Sequence, residues 1–109
     1  MPIKATEVGK IFRYATYFDL SAFTSLSLKF TFPDGTENII TNPRVTAPAV
    51  DVVDPDLGLL TANTYMQFTT LASDFPQAFR DVVVCGTYED ATPKTFFGDD
   101  AFFDVLAPC

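Results

Sequence analysis

Thr24-Ser25-Leu26-Ser27-Leu28-Lys29-Phe30-Thr31-Phe32-Pro33-Asp34-Gly35-Thr36 is the stretch whose reading decides the fold. Leu26, Leu28, Phe30 and Phe32 occupy every second position and Ser25, Ser27, Lys29 and Thr31 fill the gaps. That is the period of a strand burying one face. Pro33 sets the first central torsion of a turn and Gly35 tolerates a positive one, so the chain reverses there. Residues 37–41 are expected to return as the neighbouring strand, with Ile39 and Ile40 as its apolar content.

Working outward, residues 11–18 are aromatic and β-branched enough for a first strand, ended by Asp19-Leu20-Ser21. Beyond Asn42-Pro43, residues 44–47 form a short extended piece that Pro43 and Pro48 confine to an edge or linker. Residues 50–53 and 64–70 are further strand candidates, separated by the turn Asp54-Pro55-Asp56-Leu57-Gly58. The alternation in 64–70 leaves its inner face undecided. In the following loop, Phe75 is expected to tuck onto the core.

Residues 81–88, centred on Val82-Val83-Val84-Cys85, form a continuous apolar run, expected as a central strand buried on both faces. A closing pair of strands spans 94–97 and 101–106, with a bulge or tight bend at Gly98-Asp99-Asp100. Seven to eight short strands bounded by turn residues, with no helical period over ten residues, predict an all-β fold, an antiparallel β-sandwich, Ig-like or related. Residues 1–10 are read as a flexible or partner-bound arm, and 11–109 as one sandwich domain.

The totals agree with one such domain. A chain of 109 residues buries roughly 60 to 68% of its unfolded surface. It holds twelve phenylalanines and no tryptophan, which suits a phenylalanine-filled core. Seven basic against fourteen acidic residues give a net charge of -7, which disfavours nucleic acid or anionic membrane as a partner. No apolar run approaches the roughly 18 residues of a membrane span, and residues 1–10 contain no leader-like apolar segment. Synthesis in a cytoplasm is expected, and Cys85 and Cys109 are expected as free thiols. Cys85 is expected to be buried.

Catalysis finds no foothold. The chain has no histidine, so the commonest general base, triad partner and zinc ligand are all missing. The cysteines lack metal-ligand spacing, and there is no glycine-rich phosphate loop. Two acidic groups, Asp51, Asp54 and Asp56, and Asp99, Asp100 and Asp104, read as solvated turns, because the first lacks the length and glutamate of a calcium loop. No catalytic residue, cofactor or metal site is expected. The informative aromatics are Phe96-Phe97 and Phe102-Phe103, since neighbours in a strand point to opposite faces. One phenylalanine of each pair leaves a one-sided core, to be covered by another part of this chain or by another subunit. These four, with Ile3 and Lys4 of the arm, are the candidate interaction residues.

Asp19-Leu20-Ser21-Ala22 ahead of 24–30, the Phe32-Pro33-Asp34-Gly35-Thr36 turn, Val53-Asp54-Pro55-Asp56-Leu57-Gly58, and Phe96-Phe97-Gly98-Asp99 with Phe103-Asp104-Val105 together carry a resemblance. The chain resembles small β-sandwich virion proteins of tailed bacteriophages and is similar to the N-terminal domain of baseplate upper proteins. Ala78-Phe79-Arg80 stands where that family opens its late strand with glycine and tyrosine. The resemblance implies a structural protein of the virion, in tail, neck or baseplate, binding other virion proteins in a multi-copy symmetric assembly without catalysis. A host-surface carbohydrate-binding module and a capsid decoration protein are the alternatives.

Overall fold

The computed structural model describes residues 3–92 and 94–108. Within them there are ten strands and no helix, hence no helix long and apolar enough to cross a membrane. The strands are β1 (Ile3–Lys4), β2 (Ile11–Ala15), β3 (Phe23–Thr31), β4 (Glu37–Thr41), β5 (Val52–Asp54), β6 (Gly58–Leu60), β7 (Tyr65–Thr69), β8 (Phe79–Asp90), β9 (Thr95–Phe97) and β10 (Ala101–Leu106).

β3 is central, as its alternation predicts: Leu26, Leu28, Phe30 and Phe32 are buried, while Ser25 and Lys29 are exposed. The reversal into β4 is closed by the Phe32 N–H donating to the Thr36 carbonyl at 2.9 Å. Gly35 sits at φ +89°, and the Asp34 carboxylate accepts from the Thr36 amide and hydroxyl. The other side of β3 pairs with β8, giving the order β1-β10-β8-β3-β4. β9 and β10 do not pair with each other. They lie end to end along one edge of β8, β10 against residues 79–84 and β9 against 87–89. Residues 98–100 step between them, pinned by the Gly98 N–H donating to the Gly86 carbonyl at 2.8 Å.

Expectations are corrected in two parts of the sheet. The sheet is mixed, because β1 runs parallel to β10, with Ile3 opposite Val105 and Lys4 opposite Leu106. Residues 3–10 of the expected arm thus lie against the domain: Ile3 and Ala5 are buried, and the amides of Ala5, Thr6 and Gly9 donate to the carbonyls of Leu106, Phe75 and Thr70. Met1 and Pro2 lie outside the described residues. Second, β8 is not buried on both faces. Val82, Val84, Gly86 and Tyr88 are buried, but Val83, Cys85 and Thr87 are half-covered, because no second layer crosses that side among the described residues.

The large sheet curls, as half a barrel, around an antiparallel ribbon of β2 and β7. Phe12 and Tyr14 from β2 and Met66 and Phe68 from β7 face the sheet, which settles the inner face of β7. Tyr65 of β7 is buried too, its hydroxyl donating to the Val50 carbonyl at 3.0 Å. Phe30 is the hub: its ring lies 5.3 Å from Phe12, 5.8 Å from Phe68, 5.1 Å from Phe75 and 5.8 Å from Phe103, each near edge-to-face. Residues 44–47 bridge to β7 through Thr46 and Gln67. The Arg44 guanidinium clamps the buried Asp74 carboxylate at 2.6 and 3.0 Å.

Tyr14 links ribbon, sheet and step. Its hydroxyl donates to the Asp99 carbonyl, and its ring lies so close to Gly86 and Gly98 that a Cβ at either would stand 2.5 or 2.2 Å from a Tyr14 atom. Glycine at 86 and 98 is therefore a packing requirement. Burial, which disfavours the phenolate, pushes the Tyr14 pKa from 10.0 up to about 12. The folded state thus keeps a proton that the unfolded chain releases. The resulting stability is complete below pH 10 and is lost as pH rises to about 12. Urea midpoints measured across this window fall more for the wild type than for Tyr14→Phe; equal slopes contradict the assignment.

Candidate interaction surface

The strand period builds one surface directly. Residues of β3, β8 and β4 that do not face the ribbon face outward: Ser27, Lys29 and Thr31, then Val83, Cys85 and Thr87, then Glu37, Ile39 and Thr41. Register places Phe97 opposite Thr87 and Phe102 opposite Val83, so both rings stand on this outer face. They are 71% and 68% exposed, and Ile39 is 59% exposed. Charge on the face is sparse and partly internal, with Lys29 and Glu37 paired at 2.8 Å and Asp100 near Phe97.

The two phenylalanine pairs divide as alternation demands. Phe103 turns inward, its ring 5.1 Å from Phe12. Phe96 also turns inward, but at the end of the sheet beyond the ribbon, where it stacks on Tyr88 at 5.9 Å and meets Phe23 at 5.5 Å and Phe18 at 6.5 Å. It stays 39% exposed. Of the two candidates in the arm, Ile3 is withdrawn from any surface because it is fully buried beside Val105; Lys4 is exposed. Ile39 is a further exposed residue of this face, outside the candidates that the sequence supplies. The signal was present, since Ile39-Ile40 is an adjacent apolar pair and obeys the same rule as the phenylalanines.

Cys85 is corrected from a core thiol to a half-covered one, because Val84 takes the inward position next to it. Its Sγ lies 3.5 Å from the Gly98 carbonyl, and burial followed by the nearby Asp100 carboxylate raises its pKa above the ordinary value. That leaves little thiolate near neutral pH. Cys109 lies outside the described residues.

The first acidic group is not a solvated turn throughout. Asp54 is buried, with Oδ1 accepting from the amides of Asp56 and Leu57 at 2.9 and 3.0 Å and Oδ2 from Arg13 Nη1 at 3.1 Å. Asp51 accepts from the Ala62 amide. In the second group, Asp104 accepts from the Asp81 amide at 2.9 Å. Among the described residues no three Cys, Asp or Glu side chains converge as metal ligands. Compared with known protein families, curated proteins and solved structures, the chain matches none.

Proposed function

We propose that this chain is a non-catalytic structural subunit that packs against other proteins through the outer face of its large sheet. The assembly in this reading is the virion of a tailed bacteriophage, at the tail, neck or baseplate, where the subunit is present in many symmetric copies. The observation that supports it most is the outward projection of Phe97 and Phe102 from β9 and β10, each about two-thirds exposed or more. Exposed aromatic side chains on a rigid sheet are the kind of residue that dominates binding energy once a partner excludes water from them. The resemblance to small virion β-sandwiches supplies the phage setting, and kinship with Ig-like sandwiches belongs to the same reading. A net charge of -7 keeps the free subunit soluble until it meets its partner.

The test is hydrogen exchange on the free protein and on the purified particle that carries it. Amides of β9 and β10 gain protection in the particle, and the double variant Phe97→Ser, Phe102→Ser fails to incorporate while folding normally. Protection confined to other strands, or purified particles lacking the chain, overturns the reading.

One observation favours a second reading, a carbohydrate-binding module. Tyr17 is 71% exposed at φ +54°, a backbone region bulky residues seldom occupy, next to the half-exposed Phe18 and the carboxylate of Asp19. Glycan binding by a monomer, abolished by Tyr17→Ala, selects this reading over the structural one.

A further inference from the structure

The large sheet has two edges of very different character. At one end the edge is broken into short pieces: β1 is two residues long and covers only residues 105–106 of β10, and the three-residue β9 is set off from β10 by the step at 98–100. At the other end β4 is five residues, Glu-Asn-Ile-Ile-Thr, with neither proline nor lysine. Its inward bonds can be assigned by parity. Thr36 is bonded to Phe32 at one end of the hairpin and Asn42 to Leu26 at the other, the Asn42 N–H donating at 3.2 Å. Alternation then assigns residues 38 and 40 to β3 and turns the N–H and C=O groups of Glu37 and Ile39, and the N–H of Thr41, away from the sheet. Among the described residues those groups have no backbone partner; the Thr41 carbonyl accepts from the Val45 amide.

This edge is self-complementary. An antiparallel copy centred on Ile39 sets Ile39 against Ile39 of the second chain and Glu37 against Thr41, in both directions. Every outward N–H then meets a carbonyl, and the Thr41 oxygen uses its second lone pair. No like charges face each other, whereas centring on Glu37 would oppose two carboxylates. The pairing also covers the exposed Ile39 side chains and continues the outer face across two subunits. We propose that a second copy of this chain is the occupant of the β4 edge, giving a two-fold symmetric dimer through one continuous sheet. The inference stands apart from the phage setting and uses different residues from Phe97 and Phe102.

The test uses the full chain with Cys85→Ser and Cys109→Ser. Directly opposed residues in a hydrogen-bonded antiparallel pair have Cα atoms about 5.5 Å apart, within disulfide reach. Ile39→Cys therefore forms a covalent dimer under mild oxidation, and Glu37→Cys, whose opposite residue is Thr41, does not. Light scattering of the wild type gives twice the 12.0 kDa chain mass at high concentration. Ile39→Pro, which removes an N–H the monomer leaves unbonded, raises the dissociation constant more than about tenfold. Unchanged circular dichroism in the proline variant shows that the fold is intact. A wild type monomeric at every concentration, or equal cross-linking at 37 and 39, overturns the proposal. Loss of particle incorporation without change in this dimer bears on the outer face alone.

Discussion

Phe30→Ala lowers the free energy of unfolding by about 3 to 5 kcal/mol, a large share of the stability of a domain this size. Phe30 is fully buried at the centre of β3, and its ring meets Phe12 and Phe68 of the ribbon, Phe75 of the following loop and Phe103 of β10. Deleting it removes the central contact between sheet and ribbon and leaves a cavity walled by four rings that cannot all collapse inward. The same deletion at the exposed Phe97 leaves the unfolding midpoint almost unmoved, and so does Lys29→Ala next door. Urea denaturation at constant slope measures all three. Equal shifts for Phe30→Ala and Phe97→Ala would show that the inner and outer faces are reversed.

Asp54→Ala costs about 3 kcal/mol, for an electrostatic reason. The β5–β6 hairpin is tied to the ribbon by the Arg13–Asp54 pair, and the Asp54 side chain is fully buried. Truncation leaves the Arg13 guanidinium partly buried without its carboxylate and takes away the Asp54 oxygen to which the amides of Asp56 and Leu57 donate. Burial alone would raise the Asp54 pKa, but those two amides and then Arg13 outweigh it and hold it below the ordinary 3.8. A depressed carboxyl contributes stability that is complete above 3.8 and is lost as pH falls through the lower folded value. The wild type therefore loses stability in this acid window, and Asp54→Asn, already without the charge, loses less. Identical acid limbs for the two proteins refute the assignment.

Several features were legible in one dimension because their cause is local. Alternation in 24–32 needs only the two-residue period of a strand, and Pro33-Asp34-Gly35 only the torsions of its own residues, so strand, turn and the return of β4 follow from neighbours in the chain. The separation of Phe96 from Phe97 and of Phe102 from Phe103 follows from the same period. An all-β chain was equally plain, since no segment carries a helical repeat.

What tertiary structure decided were matters of partnership between distant residues. Residues 1–10 show no periodicity, yet Ile3 is buried because residues 105–106, a hundred positions away, offer it a parallel edge; that pairing makes the sheet mixed. Val82-Val83-Val84-Cys85 reads as doubly buried because hydrophobicity reports preference and not supply: among the described residues the second layer covers one face. Asp54 looks like its solvated neighbour Asp56 until Arg13 from β2 arrives to pair with it. Composition and spacing determined which residues could be inside, whereas the limited area of the β2–β7 ribbon determined which face was covered, and so left Ile39, Phe97 and Phe102 in water.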